Sequence, residues 1–321
     1  MDTVKKISFV EFMPVSLFGG VMGLCGLCFS WRLASIQWNF PSWIADTIGT
    51  IAILAFILLT AVYLTKLKRY PALVKQEYLN PATMGLFATF IISLLLLPGV
   101  ILPYNVTAAI TIWCIGTVFM FLFALVFIRR LIDHQQEFSN ALPVWILPVV
   151  GTLDVPIVGL KFPFIALHEI CNFFFGVGIL FSIILITIVL SRLVFTPQLS
   201  KESQPTLLIL VGPFALAFSC YLSISGTLDL TAKVFYYFDL FILILLFSKL
   251  FLLPYCCPFK VSWWSVSFPL AALTIASLNF AKLINQITFD VIALTLLLIS
   301  TCIIGYLLIQ TLTRVIKGQF Q

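Results

Sequence analysis

An all-α integral membrane protein of ten transmembrane helices, paired as five helical hairpins, is predicted by three properties of this 321-residue sequence: its apolar bulk, its ten apolar runs of bilayer length and the regular spacing at which those runs begin. Apolar residues make up 62 % of the chain and charged residues 9 %, with a mean hydropathy of +1.15. That leaves too little polar surface to coat a soluble globule of this length. The whole chain, 1–321, reads as a single membrane domain. The formal net charge of +6 does not mark a nucleic-acid binder, because the 18 Lys and Arg residues are scattered between apolar runs and form no single basic face.

A helix crossing about 30 Å of hydrocarbon needs roughly 20 mainly apolar residues. Ten stretches meet that need: 14–34, 43–64, 81–99, 105–128, 142–160, 164–194, 205–226, 233–253, 262–282 and 289–312. The first follows Lys5 and Lys6 as a secretory leader would, but it runs on to Trp31 without a small-residue cleavage site and is read as a retained helix. The fifth is interrupted by prolines, and the sixth is long enough to tilt. Placing Lys and Arg against these spans gives 14 at the N-terminus, the even-to-odd connections and the C-terminus. The other side holds only Arg32, Lys161, Lys233 and Lys282, so the bias predicts that both termini face the cytoplasm.

The odd spans begin near Pro14, Pro81, Pro143, Pro205 and Ser262, at intervals of 67, 62, 62 and 57 residues, which is one hairpin repeated five times. The two members of each hairpin differ. Prolines past the first turn are Pro98, Pro148, Pro156, Pro213 and Pro269, all in odd spans, and ten of the 16 glycines are in odd spans. Proline removes an internal hydrogen bond and bends a helix. Freed backbone groups cannot face lipid tails, so the odd helices are expected to form an inner ring in quasi-five-fold arrangement, with the straight, bulky even helices outside. Five cylinders about 10 Å across leave a central gap of roughly 3.5 Å radius before side chains fill it.

Enzymatic chemistry has little to work with. The two histidines stand apart: His134 lies in a charged connection, and His168 is adjacent to Glu169 on a different helix face. Cys25 and Cys28 spell CxxC inside an apolar run without a basic neighbour and are read as packing residues. The vicinal Cys256 and Cys257 carry no assignment, and no cofactor or metal is expected. Among intramembrane charges, Asp154 is the only acid deep in an odd span and is a candidate for a pathway or proton-relay role, set against structural hydrogen bonding. Asp239 and Glu169 belong to even spans, where helix-to-helix bonding is the simpler role. No Lys or Arg lies near the centre of an odd span, which favours weak binding and fast passage over tight capture of a dianion.

Two segments carry a family likeness: PVSLFGGVMGLCGL from Pro14 to Leu27 and WWSVSFPLAALTIAS from Trp263 to Ser277. With the five-hairpin layout, the chain resembles the tellurite-resistance/dicarboxylate transporter family, which includes the bacterial TehA proteins and the plant slow anion channels. The resemblance implies a homotrimer with one path per subunit, passage of small anions such as chloride and nitrate, and a phenylalanine in the ninth helix that blocks the path. By motif that residue is Phe268, directly before Pro269. Phe18 and Phe87, early in the first and third spans, are expected to add to the constriction, and Pro148, Pro213 and Pro269 to bend the helices lining it. The expected function is therefore an anion channel, with a proton-coupled C4-dicarboxylate or tellurite exporter as the alternative.

Overall fold

The computed structural model describes residues 8–257 and 259–318, the side chains of 253, 254 and 256 excepted. Lys5, Lys6 and the Cys256 side chain, which the sequence reading used, lie outside the described residues. Among the described residues, nine helices are long and apolar enough to cross a membrane, and a tenth apolar segment is shorter. In chain order they are α1 (Val15–Trp38), α2 (Ser42–Arg69), α3 (Pro81–Ile101), α4 (Val106–Asp133), α5 (Pro143–Gly159), α6 (Ala166–Phe195), α7 (Gln204–Ser225), α8 (Leu230–Leu252), α9 (Val261–Ile284) and α10 (Ile287–Lys317). The protein is thus a multi-pass membrane protein. The polar connection between α2 and α3 adds a short helix, Pro71–Leu79, that the apolar-run criterion does not see.

Burial separates the two sets as their composition predicts. The long odd helices α1, α3, α7 and α9 are 83, 72, 78 and 72 % buried across their apolar windows, whereas the even helices range from 11 to 39 %. The even helices turn Leu54, Leu58, Phe119, Leu122, Leu180, Ile244 and Leu298 outward, the surface that lipid covers.

Each odd helix carries 3-10 winding near its start, at the very beginning in α1, α5, α7 and α9 and after one α turn, Pro81–Met84, in α3. The 3-10 stretches are Val15–Leu17, Gly85–Phe87, Pro143–Ile146, Gln204–Val211 and Val261–Val266. Eight residues of 3-10 in α7 is long for a geometry with poor hydrogen bonds. Pro148, Pro213 and Pro269 sit in the first turn of the α segments that follow, where a missing N–H costs little. At these three prolines the expected bend is a change of helical winding just before the proline, whereas Pro98 lies inside the α segment of α3.

Carbonyls at these junctions are taken by hydroxyls of neighbouring odd helices. Thr89 of α3 donates to the Val15 carbonyl at 3.1 Å, and Ser93 donates to the Phe18 carbonyl at 3.1 Å. From the other side Ser267 of α9 donates to the Gly19 carbonyl at 3.3 Å. Farther along α3, the Arg32 guanidinium covers the last-turn carbonyls of Gly99 and Val100 at 2.8 and 2.9 Å.

The ring closes where α9 meets α1. Gly19, Gly20, Gly23 and Gly26 present a face without side chains, and Trp264, Ser267 and Ala271 of α9 pack into it. A β-carbon on Gly26 would sit 2.7 Å from that of Ala271, and one on Gly23 would overlap the Ser267 hydroxyl. This is the small-residue approach that membrane helices use when hydrophobic drive between them is absent.

At the N-terminal end of α1, a buried polar cluster holds three elements together. Glu77, from the short helix Pro71–Leu79, accepts the Val15 amide at 2.7 Å, pairs with Lys66 of α2 at 3.2 Å and accepts the Tyr63 hydroxyl at 3.2 Å. Lys66 also donates to the Met13 carbonyl at 2.7 Å. Removing one partner strands the other charge with little water. Glu77→Ala should therefore lower the unfolding free energy by about 3 kcal/mol, of the order found for broken buried ion pairs. A thermal melt in detergent checks this, against a Glu202→Ala control at an exposed pair.

Candidate functional site

Two neighbouring cavities, which share Leu86, are lined largely by the odd helices. The wide one, about 570 Å³, opens at the end where all five odd helices begin. Its walls are mostly apolar, including Leu17 of α1, Leu86 of α3, Val144 of α5 and Val261 of α9. Two cations border it: Lys260, paired with Glu202, and Arg314, whose guanidinium lies 4.9 Å above the Phe259 ring.

The narrow cavity continues inward and shares Leu86 with the wide one. Every odd helix contributes to it: Gly19 and Met22 from α1, Thr89 from α3, Leu147 and Val150 from α5, Gly212 and Leu216 from α7, and Phe268 with Pro269 from α9. Its volume is about 30 Å³, the share of a single molecule in liquid water, ~30 Å³. The constriction sits near the level where 3-10 winding gives way to α in each odd span.

Phe268 is buried in this constriction, with its ring edge 3.6 Å from where a Gly26 β-carbon would stand. Pro269 packs across from Gly212, at 3.7 Å from the place of its absent β-carbon. Pro148 and Pro213 are buried beside lining residues, Pro148 after Leu147 and Pro213 after Gly212. Ser16 and Ser265 bring hydroxyls to the narrow space, so its lining is apolar with a few neutral polar groups and no charged side chain.

Phe18 and Phe87 are placed differently from the expectation that they narrow the path. Neither lines the two cavities. Phe18 meets Phe56 and Tyr63 of α2 and Phe90 of α3 edge to face, with centroids 5.8, 6.3 and 5.0 Å away. Phe87 does the same with Tyr63 and Tyr78, at 6.4 and 5.4 Å. Each is one residue out of phase, for its neighbour Gly19 or Leu86 is the lining residue, and one residue is about 100° of helix rotation. Gly19, Thr89, Val150 and Gly212 stand 5, 8, 7 and 7 residues after the starts of their spans, against 6 for Phe268, so neither motif matching nor alignment of the starts finds them.

Asp154 is fully buried in α5, and neither carboxylate oxygen has a hydrogen-bond partner among the described residues. The Cys220 thiol of α7 approaches the same stretch and donates to the Leu153 carbonyl at 3.1 Å. Asp239 of α8 is also fully buried but belongs to the outer ring. His134 is exposed, with Nδ1 2.9 Å from the Asp133 carbonyl oxygen. Among the described residues no group of His, Cys, Asp and Glu has the spacing to hold a metal ion.

Comparison with known proteins follows the geometry. A family model described as SLAC1, voltage-dependent anion channel, matches residues 13–312. The S-type anion channel SLAH3 of Arabidopsis thaliana is 25 % identical over 96 % of this chain and 49 % of its own length. The guard cell S-type anion channel SLAC1 of the same plant is 25 % identical over 97 % of this chain and 57 % of its own. The tellurite resistance protein TehA homolog of Haemophilus influenzae is 26 % identical over 96 % of this chain and 92 % of its own. The chain thus spans about half the length of those plant relatives.

The inner and outer rings predict opposite reactivity. A cysteine at Ser262, on the wide cavity, should react readily with a charged aqueous thiol reagent, whereas one at Phe251, on the outward face of α8, should react many times more slowly. Mass spectrometry of the labelled protein in lipid reads both rates.

Proposed function

Because the chain belongs to the SLAC1 family, whose model carries the description voltage-dependent anion channel, we propose that it conducts small anions such as chloride and nitrate along the axis of the odd helices, with Phe268 closing the path. The observation that carries this reading is the contribution of all five odd helices to one narrow space in which Phe268 is buried. A chloride or nitrate ion that enters the wide cavity keeps much of its hydration; at the constriction it meets a benzyl ring that offers no replacement for that water. Rotation of one side chain about its first torsion is a small motion, and the absent side chain of Gly26 leaves the ring a neighbour that does not resist.

With the wide cavity on the cytoplasmic side, as the positive-residue bias predicts, Arg314 raises the local anion concentration at that mouth, the charge of Lys260 being balanced by Glu202. A homotrimer with one path per subunit and a place in a bacterial inner membrane are part of the same proposal. A second reading is a proton-coupled exporter of a C4-dicarboxylate or tellurite, for which the Haemophilus relative's name offers only the words tellurite resistance. The reversal potential separates the two: a channel follows the anion gradient alone, whereas a coupled exporter also follows the proton gradient.

Phe268→Ala should raise anion current about tenfold or more, equivalent to lowering the barrier by ~1.4 kcal/mol. Planar bilayer recordings of the two proteins, side by side, make the comparison. Negligible current in both would overturn the channel reading.

A further inference from the structure

We propose that Ser16 of α1 and Ser265 of α9 are a pair of hydrogen-bond donors that takes the place of water around a small anion at the constriction, and that this pair sets which anions pass. This rests on the reading that the axis of the odd helices conducts.

Placement comes from the cavity itself. Both serines line the narrow space, together with Gly19 and Phe268 of the same two helices. Each is half-buried between buried neighbours, Val15 and Leu17 about Ser16, Trp264 and Val266 about Ser265. Their exposure is therefore that of the cavity they line. At this level α1 and α9 adjoin, for a β-carbon on Gly19 would stand 3.5 Å from that of Trp264. The two hydroxyls thus reach one space from adjacent helices.

What sets these two residues apart is an unused hydroxyl. A serine or threonine in a helix commonly returns its proton to a carbonyl one turn back. Among the described residues, every other serine and threonine of the odd helices has a side-chain hydrogen-bond partner. Those nearest the constriction are spent on backbone: Thr89 on the Val15 and Leu86 carbonyls, Ser267 on those of Gly19 and Trp264. Ser16 and Ser265 bond no described residue. For Ser16 the carbonyl three residues back, that of Met13, is taken by the Lys66 ammonium at 2.7 Å. The polar cluster that fastens α1 therefore also leaves this hydroxyl to the cavity.

A hydroxyl can donate or accept, so its surroundings decide which sign of ion it serves. Among the described residues no carboxylate lines the narrow cavity, and the Arg314 guanidinium borders the wide one outside it. An anion that must shed water here meets two O–H donors in exchange. The exchange matters most to an ion that holds its water tightly, such as chloride, and least to one that sheds it easily, such as thiocyanate. The pair thus favours compact anions of concentrated charge.

The test uses Phe268→Ala as background, because its open path makes the current measurable. Adding Ser16→Ala and Ser265→Ala together should lower chloride current about tenfold, roughly the worth of one hydrogen bond to an ion, while thiocyanate current stays within about twofold. Alanine is smaller than serine, so a purely steric role predicts the opposite, a rise for both anions. A rise, or an equal fall for both, overturns the proposal while leaving the channel reading intact. No current for any anion in the Phe268→Ala background overturns both. If the alanine protein does not fold, diffraction from Phe268→Ala crystals grown in bromide decides. Anomalous density within hydrogen-bond reach of both serine oxygens is expected; density elsewhere, or none, overturns the proposal.

Discussion

A backbone amide or carbonyl that leaves its helical ladder inside a bilayer finds no water there and must meet another protein group. The five segments that carry 3-10 winding near their starts are the same five that the rest of the chain surrounds. Loosened carbonyls share hydroxyls with neighbouring helices: Thr89, Ser93 and Ser267 each bond a carbonyl of their own helix at 2.7 Å and lie within 3.1 to 3.3 Å of the Val15, Phe18 and Gly19 carbonyls of α1. Irregular backbone creates the narrow axial space, and the need to hide irregular backbone places it at the centre. The even helices, regular and bulky, satisfy themselves internally and are free to face lipid.

Much of this was legible in the sequence because composition and charge report directly on solvent. The ten spans agree with the helices to within a few residues, and the concentration of proline and glycine in alternate spans marks the inner set. Phe268 and Pro269 were legible by their motif, and both line the constriction. Rotational phase was not legible. Phe18 and Phe87 begin inner helices as Phe268 does, yet each turns away from the axis, because no composition argument resolves the angle between neighbouring residues.

The 3-10 winding was likewise hidden, since it is a property of the backbone with only a loose residue signature. The cluster of Lys66, Tyr63 and Glu77 escaped notice for a different reason. Its acid comes from a polar connecting helix, and the contacts it makes span from 11 to 62 residues in sequence. Hydropathy reads such a connection as solvent, while the fold uses it to fasten the first turn of α1.

The seam between α1 and α9 joins residues that are far apart in the chain, with Gly19 and Ser267 separated by 248 positions. During synthesis the glycine-lined flank of the first helix is therefore made long before its partner exists. Until the ninth helix leaves the ribosome the barrel stays an open arc, with bare backbone at one edge and nothing to cover it. Local pairing can assemble each hairpin early, but the circle is completed only by the last of them, and closure of so distant a contact is slow. Biogenesis of this molecule thus carries a vulnerable interval that ends when its last hairpin arrives.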